Sequence, residues 1–269
     1  MTPIKLASAA HEKVWGSPET EPWYRNPEGR KIGEIWFAAS DSAPLLVKLL
    51  FTSDNLSVQV HPGDAYAREH HKSRGKTEMW HVLRAEPGSK IALGLRHKVT
   101  PERLREAALS GEIMDLLNWV PARRGDTFFV PSGTIHAIGG GLALCEIQQH
   151  SDITYRLHDY GRPRELHLDH ALAVSHREPA AASATVRLPL ECAYFRTERF
   201  TVSGLNTMVR SPERNTVFIA LEGTGSIAGE PFQAGEAWEA PAGSEPFEIR
   251  SDTATFLVTS PLELPRRKR

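Results

Sequence analysis

A turn frame, G-x5-P-x-G, occurs twice in this chain: at Gly125–Gly133 (GDTFFVPSG) and at Gly235–Gly243 (GEAWEAPAG). In each copy a glycine opens a turn, a short run follows, and Pro-x-Gly makes a second turn through its backbone preferences. The run Asp126 to Val130 carries two phenylalanines and a valine and reads as a strand. No helix passes through such punctuation, so both regions must be β. Upstream, Val217–Ala228 parallels His81–Ala92, which makes the two frames parts of an internal repeat. The first copy continues as Thr134-Ile135-His136 and delivers an imidazole just beyond a tight turn, where a ligand is firmly held. The second copy has Pro246 at that place. The expectation is two related β units. The first, 1–179, carries the chemistry, with an N-terminal arm and a helical insertion at about 99–118. The second, 180–269, is metal-free and structural, covering an edge of the first or capping its site.

Residues 1–30 read as an ordered but irregular arm, with Trp15 and Trp23 packed on the body of the protein. Ile32–Phe37 and Leu45–Thr52 read as strands. Lys48, inside the second apolar run, is read as snorkelling at a sheet edge, with a polar cavity as the alternative. Leu56–His61 alternates with period two and stops at Pro62-Gly63. Residues 63–76 read as a loop with one helical turn, Thr77–Leu83 as a strand, and Lys90–Leu95 as its hairpin partner across Glu86-Pro87-Gly88. Thr100-Pro101-Glu102 is a helix start, and Ser110-Gly111 separates two short helices. Leu142–Ile147 is a strand, Leu166–Ser175 a short helix, and Ala180–Ala184 a linker.

The formal net charge of −1 gives no basic field for nucleic acid, and Arg266–Arg269 reads as a solvated tail. No run approaches a membrane span and nothing resembles a signal peptide, so the cytoplasm is the default expectation. Cys145 and Cys192 lie in no metal or redox spacing and read as buried free thiols.

Strand parity gathers a constellation. Gln59 and His61 share one face, Lys76 and Glu78 share one face, and His136 follows the turn. Imidazole, carboxylate and amide oxygen together suit a divalent cation, zinc first, with an open position for water or substrate. Taken singly these residues have bland readings: His61 as a satisfied or surface histidine, Lys76 as a solvated loop lysine, Arg156 as a surface partner of Asp152 or Asp159. Glu146 reads as a base, an orienting acceptor, or a partner of Arg156. The remaining histidines, including His81 on the opposite strand face from Glu78, read as solvent or supporting groups.

The spacing G-x5-P-x-G-x2-H resembles the second motif of the cupin β-barrels. The ordered runs QVHPGD at 59–64, GKTEMW at 75–80, GDTFFVPSGTIHAIG at 125–139 and EIQQHSDITYR at 146–156 closely resemble type I mannose-6-phosphate isomerases in their short bacterial form. Gly33-Glu34 and Trp36 add a further matching point. The resemblance spans about residues 33–175 and implies a mainly β fold of two cupin-type (jelly-roll) barrels with a small helical segment. It further implies zinc held by Gln59, His61, Glu78 and His136, a catalytic Arg156, and Lys76 in the active site. The implied substrate is a small sugar phosphate, mannose 6-phosphate, interconverted with fructose 6-phosphate through a cis-enediol. No nucleic-acid or membrane partner is expected, and the protein is expected to be a monomer or homodimer. Two departures stand out: Trp15-Gly16-Ser17 replaces the usual Trp-Gly-Gly, and the long helical insertion of larger members is absent. The alternatives are another cupin sugar isomerase or epimerase, a dioxygenase, or a non-catalytic sugar-binding cupin. A dioxygenase more often keeps a His-x-His pair, where this chain has Gln59 first.

Overall fold

In the computed structural model, residues 1–38, 43–180, 184–209 and 213–262 are described. The fold is mainly β, as expected, and is built on three antiparallel sheets. A six-stranded sheet runs in the order Ala7–Ser17, Ile32–Ala38, Leu45–Thr52, Leu142–Gln149, Glu78–Ala85, Thr127–Val130. A five-stranded sheet runs Tyr155–His158, Val58–Val60, His136–Ile138, Lys90–Leu95, Leu117–Pro121. An eight-stranded sheet comes mostly from the C-terminal third, with long strands Phe195–Met208 and Phe247–Pro261 paired along their lengths.

The six-stranded sheet is buried on both faces, the outer one apolar and the inner one divided between apolar and charged side chains. Leu45–Thr52 and Leu142–Gln149 are buried at every position, which is why they read as continuous runs rather than alternating ones. Parity divides them. Val47, Leu49, Phe51, Met79, Leu83, Cys145 and Ile147 face outward and pack on Phe195, Val217, Ile219, Leu221 and Leu257 of the eight-stranded sheet. Leu50, Trp80, Val82, Leu142 and Leu144 face inward and meet Leu56, Ile91, Leu93 and Ile138 of the five-stranded sheet. The outer face of the five-stranded sheet, with Val58, Val60, Ile135, Ala137 and Leu157, is covered by the helices Pro101–Ser110, Ile113–Leu116 and Leu168–Val174. Thr100 caps the first of these, its hydroxyl accepting from the Arg103 N–H with Pro101 in the first turn.

The repeat is repeated in hydrogen bonds. Gly125 N–H donates to Val82 O and Gly235 N–H to Ala220 O; Thr134 N–H donates to Pro131 O and Ser244 N–H to Pro241 O. All four frame glycines have positive φ, between 68° and 90°, a region costly for any residue with a Cβ. The second copy encloses an apolar core of its own, around Phe218, Phe232, Trp238, Phe247 and Phe256.

Several expectations need correction. The arm is irregular only from position 18 on: Ala7–Ser17 pairs with Ile32–Ala38, and Ile4–Lys5 adds a strand to the eight-stranded sheet. Lys90–Leu95 is not the hairpin partner of Glu78–Ala85; the turn carries the chain across to the other sheet, where it pairs with His136–Ile138. The loop at 63–76 holds a full helix, Asp64–His71. The eight-stranded sheet covers a face of the first unit, not an edge. Positions 181–183 of the linker and the basic tail Arg266–Arg269 lie outside the described residues.

Candidate metal centre

Cross-strand register, more than sequence proximity, assembles the site. Arg156, Gln59 and His136 lie in one row across the five-stranded sheet, Gln59 being paired with both of the others. Facing them on the six-stranded sheet, Glu146 is paired with Lys48 on one side and Trp80 on the other, and Gln148 with Glu78. Of these, Lys48, Gln59, Glu78, Trp80, Glu146 and Arg156 line a cavity of about 360 Å³.

At the floor of the site, His61, Glu78 and His136 place ligand atoms within 4.8 Å of one another, all three side chains buried, and Glu78 is the one of the three that lines the cavity. Glu78 bridges the imidazoles: Oε2 is 3.5 Å from His61 Nε2 and Oε1 is 3.5 Å from His136 Nε2. Each imidazole donates from Nδ1 to a carbonyl, His61 to Ile153 O and His136 to Thr134 O, both at 2.9 Å. These bonds fix the tautomers and turn each Nε2 lone pair inward, the arrangement that suits a metal-binding histidine. Burial keeps both rings neutral: His61 is held well below the ordinary range, with Lys76 adding to the effect, and His136 is lowered to about 4. His61 Nε2 and Glu78 Oε2 are buried and hydrogen-bond to no protein group. Buried polar atoms need partners, and two convergent ones between neutral imidazoles and a carboxylate fit a divalent cation.

Gln59 reaches the same point. Its amide lies 3.2 Å from His136 Nε2 through Nε2, while Oε1 accepts from the Ser57 hydroxyl at 3.1 Å. Exchanging the ends of the amide would aim the oxygen at the centre and let the nitrogen donate to Ser57.

Above the floor lies a buried array of charge. Lys76 Nζ is 3.6 Å from Glu78 Oε2, and Lys48 Nζ is 3.5 Å from Glu146 Oε2. Lys48 is therefore not snorkelling. It sits on the inward face of its strand, 3% exposed, its ammonium 4.5 Å over the Trp36 ring. Burial raises the Glu78 carboxyl well above its ordinary value, and Glu146 adds to this. Burial pushes Glu146 the same way, but Lys48, Lys76 and the Trp80 N–H outweigh it and hold Glu146 below the ordinary range. For Lys76, burial is overcome by Glu78, Glu146 and Glu34, so its ammonium is held more firmly than usual.

At the mouth, Arg156 donates to Glu165 O at 2.7 Å and stands 4.0 Å from Asp159. Asp159 itself is gripped by Arg162 and Arg164, which leaves Arg156 Nε without a hydrogen-bond partner. Lys13, Glu34, Trp36 and Arg164 also line the cavity, and sequence reasoning gave none of them a role in the site. The Arg162 and Arg164 pair around Asp159 was a usable signal for the last of these. His81, on the outward face, is buried rather than solvated: its Nδ1 meets Thr127 Oγ1 at 2.9 Å, and burial lowers it to about 4. Cys145 is buried and free; Cys192 is free and only partly buried.

A scan against models of known protein families finds no match. Individual proteins are much more informative. The mannose-6-phosphate isomerase ManA of Bacillus subtilis (strain 168) is 37% identical over 252 residues, covering 82% of this chain and 79% of that protein. The mannose-6-phosphate isomerase of Streptococcus mutans serotype c is 47% identical over 214 residues, covering 64% of this chain and 67% of that protein. The crystal structure of the mannose 6-phosphate isomerase from Bacillus subtilis superposes with a TM-score of 0.82 at 27% identity, over 96% of this chain and 99% of that one. Such identity across most of both sequences, joined to a common fold over nearly the whole length, means that the chain belongs to the mannose-6-phosphate isomerase family.

Proposed function

We propose that the protein is a metal-dependent aldose–ketose isomerase that interconverts mannose 6-phosphate and fructose 6-phosphate through a cis-enediol. The observation that carries the reading is the convergence of His61, Glu78 and His136 on one buried point, in a chain of this family. Gln59, His61, Glu78 and His136 would hold the metal, and zinc suits a donor set with two imidazole nitrogens. Such an ion supplies Lewis acidity and a template for neighbouring oxygens. Residues 1–179 would carry this chemistry, and 180–269 would form a companion unit without a metal site.

The chain's own residues serve the three demands of moving a proton between adjacent carbons. Arg156 is permanently charged and lines the cavity, so its guanidinium suits hydrogen bonding to the oxygen on which negative charge develops. Lys76 remains protonated and donates to a substrate oxygen or to phosphate. Glu146, held ionised by Lys48 and Trp80, is a weak base and serves as an orienting acceptor that keeps Lys48 and Lys76 in register. Two lysines and two glutamates cancel, so a bound divalent cation leaves the floor positive, matched to a dianionic phosphate ester. The alternative readings as another cupin isomerase, a dioxygenase or a passive binder are not favoured, since the relatives carry the isomerase name.

No helix among the described residues is long and apolar enough to cross a membrane. We infer a cytoplasmic protein that meets neither nucleic acid nor membrane and acts as a monomer or homodimer. The decisive experiment is a coupled assay of zinc-loaded protein converting mannose 6-phosphate to fructose 6-phosphate. Bound zinc without turnover would overturn the proposal.

A further inference from the structure

We propose that Asp64 is a positioning residue that sets Lys76 and Glu78 over the metal-binding floor through a single carboxylate oxygen. The chain leaves His61, turns at Pro62-Gly63, forms the helix Asp64–His71 and returns at Gly75 to enter the strand that carries Glu78. Both ends of this excursion therefore flank site residues, and their closure fixes the distance between His61 and Glu78. Asp64 Oδ1 accepts two hydrogen bonds at the neck, from the Gly75 N–H at 2.8 Å and from Gln149 Nε2 at 3.0 Å. Gln149 in turn accepts from the Thr77 N–H through Oε1 at 2.9 Å, while its own N–H donates to Thr77 O at 3.0 Å. Thr77 lies between Lys76 and Glu78, and its hydroxyl accepts from the Ser132 N–H in the turn before His136.

One oxygen thus ties the returning chain to the end of the central strand Leu142–Gln149 and, through Thr77, to the His136 turn. Gln149 is 2% exposed and cannot trade this acceptor for water. The neck is also tight. A Cβ on Gly75 would come within 2.7 Å of Asp64 N and 2.9 Å of Pro62 O, so the backbone at 75 has no slack. Lys76 N–H completes the closure by donating to Pro62 O at 3.0 Å. Asp64 Oδ2 takes no part in these bonds; Arg68, an exposed side chain, stands 3.8 Å from it. The geometry asks for an acceptor at Oδ1, not for a negative charge, and asparagine provides the same oxygen.

The metal arm of the test rests on the proposed function; the exchange arm does not. In metal-free protein, amide hydrogen exchange at Lys76 and Thr77 is compared among wild type, D64A and D64N. D64A should exchange at least about tenfold faster at both amides, with D64N at the wild-type rate. Cobalt(II) and zinc(II) titrations should show D64A weakened about 10–100-fold, the range for losing an outer support of a metal ligand. D64N should stay within about threefold of wild type, since a neutral acceptor can replace the charged one. Rescue by asparagine separates positioning from a general loss of stability. If D64A fails to fold, Gln149→Leu cuts the same tie from the other side and should give the same losses. Wild-type exchange and affinity in whichever of these two variants folds would overturn the proposal, as would D64N being as impaired as D64A. Should the wild type bind neither metal, the proposed function fails, and the exchange comparison still decides the role of Asp64.

Discussion

Lys48→Met probes the buried charge array directly. Lys48 and Glu146 are 4% and 5% exposed in their side chains and 3.5 Å apart. Methionine keeps most of the stem's volume but leaves Glu146 with Lys76, the Trp80 N–H and the Glu78 carboxyl in support. Removing one partner of a buried pair costs about 3–5 kcal/mol, and the remaining partners of Glu146 place the expectation near the lower end, about 3 kcal/mol. Urea unfolding of the metal-free protein across pH reads this out. In the wild type the Glu146 carboxyl is depressed, so its contribution is present above the unfolded carboxylate range and is lost as pH falls through the folded value. In the variant burial prevails and the carboxyl rises, which reverses the sign. The penalty is then full at neutral pH and shrinks as pH falls towards about 4.3, the unfolded glutamate value. K48M/E146Q should recover most of the loss, because no unpaired charge stays buried. Should K48M unfold within about 0.5 kcal/mol of wild type at pH 7, with no trend in pH, Lys48 reaches water and the account of the cavity is wrong.

Other expectations follow from the same geometry. His136→Ala should lose both metal content and turnover, whereas Arg156→Ala should keep its metal and lose turnover; elemental analysis with the coupled assay distinguishes them. Gly133 has a φ of 86°, and a Cβ there would come within 2.6 Å of His176 Nε2. Gly133→Ala should therefore destabilise by at least about 1–2 kcal/mol, the cost of a left-handed residue alone, measured by thermal unfolding. Any proton that metal binding releases should come from the raised Glu78 carboxyl and not from the imidazoles, which burial already keeps neutral. Affinity should fall as pH drops through the Glu78 value, and calorimetry in buffers of different ionisation enthalpy counts the proton.

The parts of the site that sequence revealed are those set by local rules. Period-two parity put Gln59 and His61 on one face, and the Pro-x-Gly turn announced His136; both hold in the fold. The parts it missed are set by sheet pairing. Leu45–Thr52 is buried on both faces, so no alternation told Lys48 which way to point; its register opposite Glu146 decides that. The turn after Glu78–Ala85 shows where the chain bends but not which sheet it joins next. Ala7–Ser17 is poor in β-branched residues and becomes a strand only because Ile32–Ala38 offers an edge. Lys13 and Glu34 enter the cavity by that same pairing.

The repeated frame also explains why a β unit without site chemistry is retained beside the one proposed to carry it. Lys48, Glu78 and Glu146 occupy part of the inner face of the six-stranded sheet, and that part gives up apolar burial to charge. The outer face of the same strands is apolar, with Leu49, Phe51, Met79, Leu83, Cys145 and Ile147. Each large side chain buried there is worth about 1.5–3 kcal/mol. That burial exists only because Phe195, Val217, Ile219, Leu221 and Leu257 cover it. The second copy keeps the turn–strand–turn geometry that presents these residues, and its interior is filled by aromatic side chains where the first has the candidate ligands. Loss of the histidine at Pro246 is thus no loss of purpose: the C-terminal unit stabilises the back of the strands whose fronts hold the costly buried charges.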